Sequence, residues 1–159
     1  MKYERFEDLP VWQAASSLAV RIFALGTNLP LRRHRSLRDQ IERAALSVSN
    51  NIAEGFERGT SSELLAFLYI ARGSAGEVRS MLCVMDRMFA FSDLKSEISD
   101  LKSLAESISR QLRAWAQHLQ DSPIRGQRHV TSKSRQIDQA RRDRDAFLKD
   151  LEEIRSKPH

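Results

Sequence analysis

TSSELLAFLYIARGSAGEVRSMLCVMDRMF, Thr60 to Phe89, is the stretch whose periodicity decides the fold class. Leu64, Leu68, Ala71, Ala75, Val78, Leu82, Met85 and Phe89 recur in alternating steps of four and three, the spacing that lays apolar side chains along one stripe of an α-helix. Thr60 precedes Glu63 by three residues. That is the pattern of a capping box, in which each side chain answers a backbone N–H at the helix start. A helix with such a stripe needs something to hide it against.

The next segment supplies a partner. Leu94, Ile98, Leu101, Ala105, Ile108, Leu112, Trp115 and Leu119 repeat the scheme, and at a rise of about 1.5 Å per residue each of the two helices spans roughly 40 Å. The short Ala90 to Asp93 connection makes them antiparallel neighbours. Ser92 to Ile98 (SDLKSEI) and Ser99 to Ala105 (SDLKSLA) are near-repeats one heptad long, the mark of a regular helix and not of a solenoid.

Working upstream, an earlier helix runs from Ser36 through Leu37, Ile41, Ala44, Val48 and Ile52 and ends between Gly55 and Gly59. The first helix begins near Asp8 as N-cap, tolerates Pro10 in its first turn, carries Val11, Ala15, Leu18, Ile22 and Leu25, and stops at Gly26. Thr27 to Pro30 reads as a connector. The expectation is an all-α protein, an antiparallel up-and-down four-helix bundle over residues 1–120. Downstream, 121–136 reads as a basic flexible linker, and 137–159 as a charged C-terminal extension with a short helix carrying Ala140, Phe147, Leu151 and Ile154.

Composition narrows the functional classes. The chain has 159 residues, 41% of them hydrophobic and 30% charged, the balance of a water-soluble domain. No run approaches the eighteen or so apolar residues of a membrane span, and Met1 to Pro10 lacks the order of a signal peptide, so a cytoplasmic location is expected. The single cysteine, Cys83, lies within an apolar helical pattern and reads as a packing residue. An excess of 26 Lys and Arg over 21 Asp and Glu gives a net charge of +5, with a pI near 9.8. Such a balance permits attraction to nucleic acid.

Chemistry has few candidates. Three residues before His34, His118, His129 and His159 stand Leu31, Trp115, Gly126 and Ser156, so the Glu-x-x-His pairs of a di-iron bundle are missing and no metal is expected. Ser92-x-x-Lys95 and Ser99-x-x-Lys102 match a short nucleophile motif but arise from the heptad repeat and lack its companion motifs. No phosphate-cradling glycine loop is present. The reading is a binding or assembly protein, with no cofactor and no enzymatic activity.

Two surfaces exceed what one bundle needs. Arg32, Arg33, Arg35, Arg38 and Arg43 cluster around the start of the second helix, diluted only by Asp39 and Glu42, and Arg125, Arg128, Lys133 and Arg135 add a second basic run. Arginine forks suit phosphate oxygens. On the Thr60 helix, Ile70, Met81, Val84 and Met88 form a second apolar stripe beside Gly73 and Gly76. Two interior helix glycines, each costing about 1 kcal/mol against alanine, point to close backbone packing or to the approach of a ligand. Either a second copy of the chain approaches there, or the glycines receive a bulky side chain of the same chain such as Trp12 or Phe23.

Four motifs carry a family resemblance: FEDLPVWQA (Phe6 to Ala14), QIERAA (Gln40 to Ala45), SNNIAEGFER (Ser49 to Arg58) and FLYIARGSAGE (Phe67 to Glu77). Over roughly Phe6 to Leu119 the chain resembles the bacterial four-helix-bundle proteins encoded in intervening sequences of 23S ribosomal RNA genes. The resemblance implies a homopentameric ring, and a structural relation to the accessory protein of diversity-generating retroelements, a basic pentamer that works with a reverse transcriptase. Two stretches depart from the family pattern: the tail from Asp121 to His159 extends past the usual end, and Leu31 to Arg35 is more arginine-rich. Asn51, Glu54 and Gly55 of the third motif fit a helix terminus with hydrogen-bonded polar groups.

Together these give a non-catalytic oligomer that binds RNA or DNA backbone through the two arginine clusters, with weak sequence preference because phosphates dominate the contact. The alternative is an assembly module that captures a protein partner such as a reverse transcriptase.

Overall fold

A computed structural model of the chain describes residues 3–121 and Arg144. The basic linker and C-terminal extension, with Arg125, Arg128, Lys133 and Arg135, otherwise lie outside the described residues. Among the described residues all regular structure is helical: α1 (Pro10–Gly26), α2 (Leu29–Arg33), α3 (Arg35–Glu57), α4 (Ser61–Arg87) and α5 (Lys95–Asp121), with 3-10 turns at Phe6–Asp8 and Phe89–Leu94.

Helix ends follow local chemistry. Asp8 lies in the leading 3-10 turn and the N-cap of α1 is Leu9, one residue later than expected, with Pro10 at the first helical position where it forfeits no bond. Thr60 caps α4 by accepting a hydrogen bond from the Glu63 N–H at 3.2 Å, while its hydroxyl also donates to the Glu63 carboxylate at 2.7 Å. The reciprocal half of a capping box is thus replaced by a contact between the two side chains. The expected connector Thr27 to Pro30 is instead the lead into a fifth helix, α2, because Pro30 falls in a first turn that needs no proline N–H.

The four long helices pack in the cyclic order α1–α3–α4–α5, each against two neighbours. Antiparallel register shows in cross-helix pairs: Asp86, Arg79 and Tyr69 of α4 meet Lys102, Glu106 and Gln120 of α5. The core is the set of expected stripes, with Leu18, Ile22, Ile41, Ile52, Leu64, Leu68, Leu82, Met85, Ile98 and Leu101 fully buried. Leu37, Leu94, Trp115 and Leu119 are half-buried at its margin. One stripe residue departs from expectation. Helix α4 ends at Arg87 and Met88 turns extended (φ −89°, ψ 128°), which rotates Phe89 off the stripe to 92% exposure and sends Phe91 into the core at 0%.

Gly55 lies at a close contact between α3 and α4. A Cβ there would fall 2.7 Å from Phe67 Cβ and 3.1 Å from Leu64 Cδ1. No described helix is long and apolar enough to cross a membrane.

Candidate functional site

Leu31 is the only buried residue of α2 and is fully enclosed. It pins a helix of five residues, and the C-cap residue His34 adds a second anchor. The His34 Nδ1–H donates to the Pro30 carbonyl at 2.8 Å, and its ring sits 5.7 Å from the buried Phe91 ring. These apolar and hydrogen-bonded anchors face inward, so the residues between and beside them face out. Arg32, Arg33 and Arg35 are all exposed. None of the three makes an ion pair with an acid among the described residues, in contrast to Arg21, Arg58 and Arg79, which all have partners.

The remaining predicted arginines behave differently. Arg38 turns back along α3, donating to Asp39 at 3.0 and 3.2 Å and lying 3.8 Å from Glu42. It is therefore partly neutralised. Arg43 is exposed and without an acidic partner among the described residues, but it lies eight residues beyond Arg35, about 12 Å further down the helix.

The His34–Phe91 contact also brings the α4–α5 turn to the same end of the molecule. That turn carries exposed Arg87, again with no acidic partner among the described residues, and Phe89. Sequence reading missed both. A single cation at a helix C-terminus is ordinary and Arg87 carried no signal, while Phe89 fell on the core stripe. Nearby, Asp86 joins α4 to α5 by accepting from Lys95 Nζ at 3.0 Å and Lys102 Nζ at 3.1 Å. Those two ammonium groups hold its carboxyl below the ordinary aspartate range.

The first turn of α3 contains no acidic residue, although negative charge is what a helix N-terminus favours. Arg35 stands there instead. This end of the molecule therefore concentrates guanidinium charge at a helix N-terminus whose first turn has no acidic residue and whose N-cap makes no side-chain hydrogen bond.

The second predicted surface lies on α4. Ile70 and Val84 are each 51% exposed and Tyr69 is 45% exposed. Met81 and Met88 are half-buried and pack on the core, so they form the inner edge of the stripe. A Cβ at Gly73 or at Gly76 would meet nothing within 4 Å. Neither Trp12 nor Phe23 is received there, and the intrachain explanation of the two glycines fails.

Behind this stripe, the SNNIAEGFER motif ties α3 to α4. Asn51 Nδ2 donates to the Ser47 carbonyl at 2.7 Å and to Ser47 Oγ at 3.0 Å. The Ser47 and Ser74 hydroxyls are 2.8 Å apart, and Ser74 Oγ donates to the Ile70 carbonyl at 3.1 Å. Proton positions follow: Asn51 donates to Ser47, Ser47 to Ser74, and Ser74 to Ile70. Glu54 accepts from Arg58 at 2.6 Å, and that guanidinium lies over the Phe67 ring at 5.2 Å. Glu54 and Gly55 thus lie in the last turn of α3, where the C-cap Arg58 N–H donates to the Glu54 carbonyl, and Asn51 and Gly55 also serve the contact with α4.

Among the described residues no group of three or more His, Cys, Asp or Glu is placed to hold a metal ion. A family model described as 23S rRNA-intervening sequence protein matches residues 7–114. No curated protein matches the chain significantly.

Proposed function

Because the chain belongs to the 23S rRNA-intervening sequence protein family, we propose that it is a non-catalytic, self-associating four-helix bundle that binds nucleic-acid backbone through its arginine-rich end. The observation carrying this reading is the trio Arg32, Arg33 and Arg35: adjacent, exposed, and unpaired by any described acid beside an acid-free helix N-terminus. Exposed arginines are usually interspersed with carboxylates for solubility; here the field is left open to an external anion. Arg87 and Arg43 extend the same positive surface.

Self-association is supported by α4. Two glycines that face open space are a loss of about 2 kcal/mol to a solitary helix, and the exposed Ile70, Val84 and Tyr69 beside them are apolar surface that a second copy covers. A symmetric ring repeats the arginine trio and raises the local potential, so the two features support one another.

The test is filter binding of single-stranded RNA across a salt series. Each phosphate neutralised contributes a slope of about −0.7 in log affinity against log salt. Replacing Arg32, Arg33 and Arg35 by Gln is expected to make the slope shallower by about 2. Affinity that does not change with salt refutes the reading.

A further inference from the structure

A cleft of about 480 Å³ opens where α1 ends, lined by Phe23, Gly26, Thr27, Arg32, Arg38 and Glu42. Its size suits a small planar ligand. We propose that this cleft receives one unstacked guanine of a single-stranded nucleic acid, stacked on Phe23 and read by Glu42 and Arg32. The proposal rests on the nucleic-acid reading above and adds to it a base-specific contact.

Phe23 is 40% exposed at the cleft wall. An aromatic ring beside arginines is the arrangement on which unstacked bases are held. Glu42 supplies the specificity. Its side chain is only 22% exposed, and its nearest cation, Arg38 Nε, is 3.8 Å away because the Arg38 fork is committed to Asp39. The carboxylate lies against the backbone of α1, and a Cβ at residue 26 would collide with Glu42 Oε1, so Gly26 makes its position possible. It accepts no hydrogen bond from a described residue and has two oxygens to offer.

A carboxylate accepts a forked pair of N–H donors. Among the four common bases only guanine offers two adjacent donors, N1–H and N2–H₂, on its Watson–Crick edge, and its other edge carries the O6 and N7 acceptors that fit an arginine fork. Arg32, unpaired by any described acid, faces the same cleft and satisfies those acceptors or the adjoining phosphate. Thr27 is turned away from this task, since its hydroxyl donates to the Ala24 carbonyl at 2.8 Å.

The experiment is fluorescence anisotropy of the full chain with a short oligouridine carrying one central guanosine, compared with the same strand carrying an abasic site. Phosphate charge is equal in the two. The guanosine strand is expected to bind about tenfold tighter, the size of one base–aromatic contact, with inosine, which lacks the N2 amino group, in between. Phe23→Ala and the shape-preserving Glu42→Gln are each expected to abolish the preference for the guanosine strand over the abasic one. Equal binding of the two strands by the native protein, or a preference that survives Glu42→Gln, overturns the pocket while the arginine reading stands. Binding of neither strand overturns both. Guanosine monophosphate alone is expected to bind about a hundredfold more weakly than the strand, having fewer phosphates to offer; equal affinity would assign the cleft to a free nucleotide and refute the strand as its source.

Discussion

Gly73→Ala with Gly76→Ala separates the stability of one chain from its association, and the two effects have opposite signs. In the isolated chain each new methyl meets nothing within 4 Å, so only the helix propensity changes. Alanine is favoured over glycine by about 1 kcal/mol per site, giving about 2 kcal/mol for the pair. Unfolding entropy near 2.1 cal/mol/K per residue, taken over residues 3–121, amounts to about 250 cal/mol/K, so Tm is expected to rise by about 8 °C. At the proposed contact between copies, the same methyls hold apart two surfaces that glycine allows to meet. Thermal unfolding by circular dichroism on dilute protein reads the first effect, and sedimentation velocity at increasing concentration reads the second. The expected result is a more stable chain that associates more weakly and loses the concentration dependence of its Tm. A variant no more stable than the native chain when dilute refutes the open-space argument. A variant that is stabilised yet assembles as the native protein does refutes the placement of these glycines at a contact.

Phe91→Ala empties a fully buried site and is expected to cost about 4 kcal/mol in urea unfolding, whereas Phe89→Ser, at 92% exposure, is expected to stay within about 0.5 kcal/mol. Gly55→Ala places a methyl 2.7 Å from Phe67 Cβ, an atom too close to its backbone to swing aside, and is expected to destabilise by about 1–3 kcal/mol by the same assay. Asp86→Asn removes the carboxylate that Lys95 and Lys102 share. Because that carboxyl is held below the ordinary aspartate range, its stabilisation is present above the unfolded-state pKa and is lost as pH falls through the lower folded value. The variant is therefore expected to be less stable than the native chain at neutral pH and to converge with it in acid, as read by urea midpoints across pH.

The five described helices show where periodicity is informative. Leu64 to Met85 and Ile98 to Leu112 kept their places because a 3.6-residue repeat is a property of consecutive residues and is obeyed wherever the chain packs. Phe89 failed the same test because one extended residue, Met88, breaks the rotation, and no spacing rule records where a helix stops. Helix α2 escaped because Pro30 reads as a terminator in the sequence and serves as a starter in the structure.

The site was legible in part. Arg32, Arg33 and Arg35 stand close together in the chain and remain so when folded. That Arg38 is turned toward Asp39 could be suspected only from neighbouring charge, and that Phe23, Arg32 and Glu42 line one cleft depends on how α1, α2 and α3 meet.

Amphipathic spacing and the Thr60 cap, both local, established by themselves that this chain is helical and which edges it buries. Packing decided the rest: which arginines lack an acid, which aromatic residue faces water, and that two glycines look onto open space. Those outcomes depend on distances between residues far apart in the chain, and such distances exist only after the apolar stripes have been driven together out of water.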